Sequence, residues 1–195
     1  IGLIDESGQQ VFAQGKLDNG TVDRLDGDTV CEIGSITKTF TSLLALDLAR
    51  EGKLKLSDPI SDSLPKNVRV PDFQGKPITW LHLAAQESGL PFNPDNLAKL
   101  PGPANYNAYT AEDMFEFLRE FQLPARPGSL FEYSNIGMTL LGHAIERKTG
   151  ANYERLVIDR ICSPLEMSDT RITLTESLKK RRAVGHRDGK RTPYY

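Results

Sequence analysis

Gly34-Ser35-Ile36-Thr37-Lys38-Thr39-Phe40-Thr41-Ser42-Leu43-Leu44-Ala45-Leu46-Asp47-Leu48-Ala49-Arg50 is the most apolar helical stretch of the chain, and its reading decides the rest. The pattern predicts a helix from Ser35 to Glu51, closed by Gly52 just beyond its end. Ile36, Phe40, Leu43 and Leu44 share one face, and the remaining leucines and alanines leave little polar surface. A helix this apolar is expected to be central and buried. Its first turn holds Ser35-Ile36-Thr37-Lys38, and side chains three apart on a helix meet, so a hydroxyl lies beside an amine. Apolar surroundings there favour the neutral amine, which can take the serine proton. The unsatisfied N–H groups of a helix start suit an oxyanion. The plainer reading of the same residues is an N-cap serine and a surface lysine.

Ser-x-x-Lys spacing arises easily by chance, and two further copies exist. Ser63-Leu64-Pro65-Lys66 has a proline inside the turn, which disfavours a helix there. Ser177-Leu178-Lys179-Lys180 runs into Arg181 and Arg182, so its lysines are expected to be solvated. The Ser35 copy alone opens an apolar helix directly after a glycine. A second motif, Tyr133-Ser134-Asn135, occurs once, after Pro127-Gly128 and before another helix. A phenol beside an ammonium ion loses its proton early and can act as base or proton shuttle. The amide can hold a substrate carbonyl or the lysine. Here the plainer reading is an N-cap asparagine and a core tyrosine.

Outward from these motifs, Ile1–Asp5, a turn at Glu6-Ser7-Gly8-Gln9, and Gln10–Ala13 read as a hairpin, with Thr29–Ile33 a short extended piece. Thr79 caps a helix from Trp80 to Gln86. Thr110-Ala111-Glu112-Asp113 opens one through Phe121 as a capping box. Ser134 or Asn135 starts a helix through Lys148, with Ile136, Leu140, Leu141, Ala144 and Ile145 on one stripe. Asn152 to Ile161 continues helical until Pro164. Strands at the start and helices after them predict an α+β fold with a helical lobe. The expected division is 1–55 for the start of the sheet lobe with the Ser35 helix, 56–170 for a mainly helical lobe carrying Tyr133-Ser134-Asn135, and 171–195 for a return segment. The chain begins at Ile1 within an apolar stretch and ends at Tyr195 without a stopping element, so it is expected to be a piece of a longer polypeptide.

Gly34-Ser35-Ile36-Thr37-Lys38 together with Tyr133-Ser134-Asn135 resembles the serine β-lactamase and penicillin-binding-protein superfamily, of the class C type. The similarity extends over Glu51-Gly52-Lys53-Leu54-Lys55-Leu56-Ser57-Asp58-Pro59, Ser88-Gly89-Leu90-Pro91, Pro127-Gly128-Ser129, Leu141-Gly142, Thr149-Gly150 and Pro164-Leu165-Glu166-Met167-Ser168-Asp169-Thr170. The resemblance implies an antiparallel sheet flanked by helices plus a helical lobe, of which this chain is the N-terminal portion without the later strands. It implies Ser35 as acylated nucleophile, Lys38 and Tyr133 sharing general base and acid duties, Asn135 positioning the substrate amide, and the Ser35 N–H as half of an oxyanion hole. A small-molecule substrate follows (a β-lactam, an ester or a D-amino-acid peptide), with no cofactor and a periplasmic or secreted location. A carboxylesterase, a D,D-peptidase and a penicillin-recognising sensor with little turnover are the alternatives. The family's third motif is Lys-Thr-Gly on a strand of the opposite wall. Lys148-Thr149-Gly150 is rejected for it, because it reads as the end of the helix that starts beside Asn135. The opposite wall and second oxyanion donor are therefore expected outside these residues. Many relatives carry His-Thr before Ser-Gly-Leu-Pro, where this chain has Gln86-Glu87, a departure that touches helix packing or cleft detail.

Composition excludes other classes. The 195 residues carry 24 Lys+Arg against 26 Asp+Glu, a formal charge of −2, which gives no global case for nucleic acid or an anionic membrane. No apolar run approaches the ~18 residues of a membrane span. Lys179, Lys180, Arg181, Arg182, Arg187, Lys190 and Arg191 form a basic cluster without interleaved aromatics and read as a solvated face, not a nucleic-acid site. Asp23, Asp26 and Asp28 lack the EF-hand spacing and read as a turn. His82, His143 and His186 read as packing or surface residues, and no His-Glu-x-x-His zinc motif occurs. Cys31 and Cys162, each flanked by apolar residues, read as buried thiols.

Overall fold

A computed structural model describes residues 1–20, 24–100 and 105–192. The chain divides into two compact units, one of Ile1–Gly34 with Met167–Tyr195 and one of Ser35–Glu166.

In the first unit, β1 (Gly2–Asp5) pairs antiparallel with β2 (Gly8–Val11), Gly2 opposite Val11 and Asp5 opposite Gly8. The turn is therefore Glu6-Ser7, tighter than the four residues expected, and the Asp5 carboxylate closes it by accepting the Ser7 N–H at 2.8 Å. Every residue of both strands is exposed. The unit is held instead where the two chain segments meet. The Val30 N–H donates to the Arg181 carbonyl at 3.0 Å, Ala183 to Val30 at 2.9 Å and Val184 to Leu17 at 2.8 Å. Leu17 and Leu178 are buried there, each 3% exposed.

The second unit is built on helices. α1 (Thr37–Arg50) follows a 3-10 turn over Gly34–Ile36. It buries Thr41, Leu44, Ala45 and Leu48, which is an i, i+3, i+4, i+7 stripe. The expected stripe through Ile36, Phe40 and Leu43 is rotated off this face: Ile36 is 59% and Leu43 46% exposed. The helix starts two residues later than the pattern suggested, and the face it buries is the one with the small Thr41 and Ala45. α2 (Trp80–Ala84) starts at a capping box. Thr79 Oγ1 accepts from the His82 N–H, and His82 Nδ1 accepts from the Thr79 N–H. It stops before the expected Gln86, which lies in the left-handed region at φ +62°. α3 (Ala111–Glu120) begins with the expected Thr110–Asp113 capping box.

α4 (Asn135–Thr149) is the central helix, a place the sequence assigned to α1. It packs against α1, α2, α3 and α5 (Tyr153–Val157) and buries Ile136, Leu140, Leu141, Ala144 and Ile145, the stripe read from its sequence. Gly142 lies where α1 and α5 meet α4, with ordinary van der Waals room for a small side chain. A Cβ placed there would meet the Tyr153 ring at 3.8 Å and the Thr41 methyl at 4.0 Å. Thr41 Oγ1 and Tyr153 Oη share a hydrogen bond at 2.7 Å across that contact, and burial raises the Tyr153 phenol above its ordinary pKa. Asn152 caps α5, which continues into a π-turn over Ile158–Cys162 ahead of Pro164. Arg160 in that turn binds Asp47 at 2.7 Å and Glu51 at 2.9 Å, pinning the end of α1. Among the described residues no helix is long and apolar enough to cross a membrane.

Because Leu141 is fully buried at the crossing of α4 with its neighbours, Leu141→Ala is expected to lower stability by about 2–5 kcal/mol. A shift of the urea unfolding midpoint with an unchanged slope would measure it.

Candidate active site

Gly34 takes φ +53°, a left-handed conformation that costs glycine little, and delivers Ser35 into the 3-10 turn. One turn on, Lys38 Nζ donates to Ser35 Oγ at 3.1 Å. The N-cap of α1 is Ile36 and no side chain caps that end. Ser35 therefore spends no lone pair on a helix cap, and the plain N-cap reading fails. Tyr133 reaches the same spot from the segment before α4, with Lys38 Nζ 4.7 Å from its ring centroid. Hydrogen bonding with the Lys38 ammonium, and then with the Ser35 hydroxyl, lowers the Tyr133 phenol below its ordinary pKa. Hydroxyl, amine and phenol thus converge.

The setting differs from the dry helix tip expected from the sequence. Ser35 is exposed, and Lys38 and Tyr133 are half-buried. The amine is placed by polar partners, the Ser35 hydroxyl and the Tyr133 phenol, and by the Tyr133 ring. Tyr133 is likewise no core tyrosine.

Asn135 is the first residue of α4, but Ser134 caps it, its Oγ accepting the Gly137 N–H at 2.9 Å. The Asn135 side chain is thereby left for other work: Nδ2 donates to Asn93 Oδ1 at 3.0 Å. Two segments are stitched together around this point. The Gly128 N–H donates to the Glu87 carbonyl at 2.8 Å, Glu132 to Gln86 at 2.7 Å and Asn135 to Phe92 at 2.8 Å. Ser134 Oγ donates to the Pro91 carbonyl at 2.7 Å, and the Phe92 ring stacks on Tyr133 with centroids 5.8 Å apart. Phe92 and Asn93 were not singled out from the sequence; their position directly after Ser88-Gly89-Leu90-Pro91 was the available signal.

The competing motifs have other settings. Ser63 ends a 3-10 turn and the chain is extended at Leu64, so Lys66 does not follow on a helix. Lys179 pairs with Glu176 at 2.7 Å on the surface. Lys148-Thr149 closes α4 and Gly150 takes φ +69° as its left-handed cap, the helix end read from the sequence. His82 serves the α2 cap, His143 packs edge-on against Phe115 and His186 contacts Asp18 at 2.9 Å. Arg181 pairs with Asp169 and Arg191 with Asp18 in the basic cluster. Asp26 Oδ1 accepts the Asp28 N–H within its own turn; Asp23 lies outside the described residues. Among the described residues no group of His, Cys, Asp and Glu is placed to hold a metal. Cys162 is buried as expected, whereas Cys31 is exposed, and neither is joined in a disulfide among the described residues.

Fold and motifs together define a member of the serine β-lactamase and penicillin-binding-protein-like superfamily. The Beta-lactamase family profile matches residues 4–194, and the chain belongs to that family. It is 34% identical to the D-alanyl-D-alanine-carboxypeptidase/endopeptidase AmpH of Escherichia coli K12 over 190 residues, covering 95% of this chain and 48% of AmpH. A β-lactamase of the same strain is 28% identical over 190 residues, covering 97% of this chain and 47% of the relative. The crystal structure of a β-lactamase/D-alanine carboxypeptidase from Yersinia pestis, complexed with citrate, matches with a TM-score of 0.78 at 33% identity, covering 90% of this chain and 49% of that one. The chain thus spans about half the length of these relatives.

Since the ammonium of Lys38 is the first cause of the lowered Tyr133 pKa, Lys38→Met is expected to raise it toward the ordinary phenol value of ~10. Titration of the Tyr133 signal by NMR with ring-labelled tyrosine reads the shift; an unmoved or lowered value contradicts the assigned contact.

Proposed function

We propose that the protein is a serine hydrolase of the class C β-lactamase type that works through a covalent acyl-enzyme on Ser35. The observation that carries this reading is the 3.1 Å hydrogen bond from Lys38 Nζ to Ser35 Oγ, with a phenol of lowered pKa against the same pair. Ser35 Oγ attacks the carbonyl carbon of a strained amide, peptide or ester. Its proton passes to the Tyr133–Lys38 pair, whose shared proton makes the phenolate accessible below its usual range. The carbonyl oxygen becomes an oxyanion at the Ser35 N–H, near the positive end of the α1 dipole. The same pair then returns the proton to the departing nitrogen or oxygen, the carbon–leaving-group bond breaks, and an ester to Ser35 remains. Water attacks that ester with its proton taken by the pair, which passes it to Ser35 Oγ as the acyl C–O bond breaks, freeing Ser35 and a carboxylic acid.

Asn135 positions the amide of the substrate in this reading. The substrate is a β-lactam or a related amide or ester. A D-alanyl-D-alanine peptide is favoured as a second class by the names of AmpH and of the Yersinia pestis structure, each of which mentions carboxypeptidase. The proposal places a second oxyanion donor on residues beyond the 195, as the resemblance implies, and locates the complete enzyme in the periplasm or outside the cell. Loss of one such donor typically costs a factor of about 10²–10³ in rate, so the 195 residues alone are expected to be poor catalysts.

Mass spectrometry of the complete polypeptide after exposure to penicillin tests the reading. An adduct on Ser35 that appears and decays with release of product is the expected result, and Ser35→Ala abolishes it. A persistent adduct converts the assignment to a penicillin-recognising sensor. Hydrolysis of both a chromogenic cephalosporin and a short nitrophenyl ester at unchanged rates in Ser35→Ala would sink it.

A further inference from the structure

Gln86 is held in a conformation that its own local sequence does not explain. It follows α2, with its backbone at φ +62°, a region non-glycine residues enter at a cost. In that conformation it makes two contacts to one neighbouring segment. Its main-chain carbonyl accepts the Glu132 N–H at 2.7 Å, and its side-chain Oε1 accepts the Ser134 N–H at 2.6 Å. The two donors are the peptide N–H groups flanking Tyr133 on either side. The chain is extended at Ser134, with φ −129° and ψ 118°, so alternate N–H groups point the same way along one edge. One residue therefore does what a partner β-strand does: it accepts both N–H groups of that edge and fixes which side chain faces the site.

The helix that precedes Gln86 is tied to α1. Ser42 Oγ on α1 donates to the carbonyl of Ala84, two residues before Gln86, at 3.2 Å. A hydrogen-bonded path thus runs from α1, which carries Lys38 one turn after Ser35, through the end of α2 to the segment that carries Tyr133. The Tyr133 ring meets the Lys38 amine at the far end of that path.

We propose that Gln86 is a positioning residue for acylation: its side-chain carbonyl oxygen, on the Ser134 N–H, sets the register that brings the Tyr133 hydroxyl to Ser35 and Lys38. The inference rests on the reading of Ser35, Lys38 and Tyr133 as the acylating machinery. Gln86 touches neither the substrate nor the reacting atoms. Its effect is geometric, and misplacing a reacting group by about 1 Å can cost a factor of about 10².

Gln86→Gly separates the two contacts. Glycine adopts the left-handed backbone freely and keeps the carbonyl that receives Glu132, while the Ser134 N–H loses its acceptor. The experiment measures penicillin acylation of Ser35 in the complete polypeptide, resolved into the affinity of the first complex and the rate of adduct formation. The expected result is a fall of about ten- to a hundredfold in the rate, little change in affinity, and a displaced NMR signal for ring-labelled Tyr133. Gln86→Glu, which keeps an acceptor oxygen at the same reach, recovers most of the rate. If the glycine variant does not fold, Gln86→Asn, whose side chain also tolerates the left-handed region but is one carbon shorter, is expected to show the same loss. An acylation rate and Tyr133 signal matching the wild type in the folded glycine or asparagine variant overturn the assignment. A Ser35→Ala control keeps the two readings distinct. If adduct formation survives Ser35→Ala, the proposed function fails; if it requires Ser35 yet ignores Gln86, only the role of Gln86 fails.

Discussion

A lysine amine resting on a serine hydroxyl one turn away is the contact on which the site depends. Helical geometry supplies it without long-range help, because residues three apart share a face. Everything else in the second unit serves to keep that face where a third group can reach it. α1 is fixed along its buried stripe by α4 and at its end by Arg160. Tyr133 then arrives from a distant part of the chain, and its ring supplies the amine with a second partner. The amine is held by the Ser35 hydroxyl and the Tyr133 ring, and its hydrogen bond with the phenol lowers the phenol's pKa.

The parts of this arrangement differed in how plainly the sequence announced them. α4 was legible because its buried positions, Ile136, Leu140, Leu141, Ala144 and Ile145, alternate with threonine, glycine, histidine and charged residues at a 3.6 period. α1 was legible as a helix but not in its orientation. With Leu43, Leu44, Leu46 and Leu48 spread around it, apolarity does not single out a face, and the choice falls to the partner. Thr41 goes inward, where Tyr153 offers it a hydrogen-bond partner, and the small Ala45 is fully buried beside it. Size and hydrogen bonding decided what hydropathy left open.

The site shows the same division. The Ser35–Lys38 contact is local, so spacing suggested it, and the apolar helix that follows set this copy apart from the other two. That Tyr133 joins them was suggested by a short motif and a resemblance, and no periodicity encodes so long a reach. Gln86, Phe92 and Asn93 were not legible as participants, because they act on backbone N–H groups, on a ring face or on another amide. Many residue types can supply such contacts, so no spacing rule marks them. The departure at Gln86-Glu87 from the pattern of many relatives was visible, yet its meaning appears only when the left-handed backbone and the two flanking N–H groups are seen together.

Ser134, the unnamed middle letter of the tyrosine–asparagine motif, turns out to be as constrained as its neighbours. Its hydroxyl gives its proton to Pro91 and receives the Gly137 amide while being 1% exposed. A Cβ at residue 137 would stand only 3.1 Å from that oxygen, tighter than most such contacts. The small residue two places beyond Asn135 thus belongs to the device that seats the motif: a side chain there presses on the hydroxyl that holds the first turn of α4.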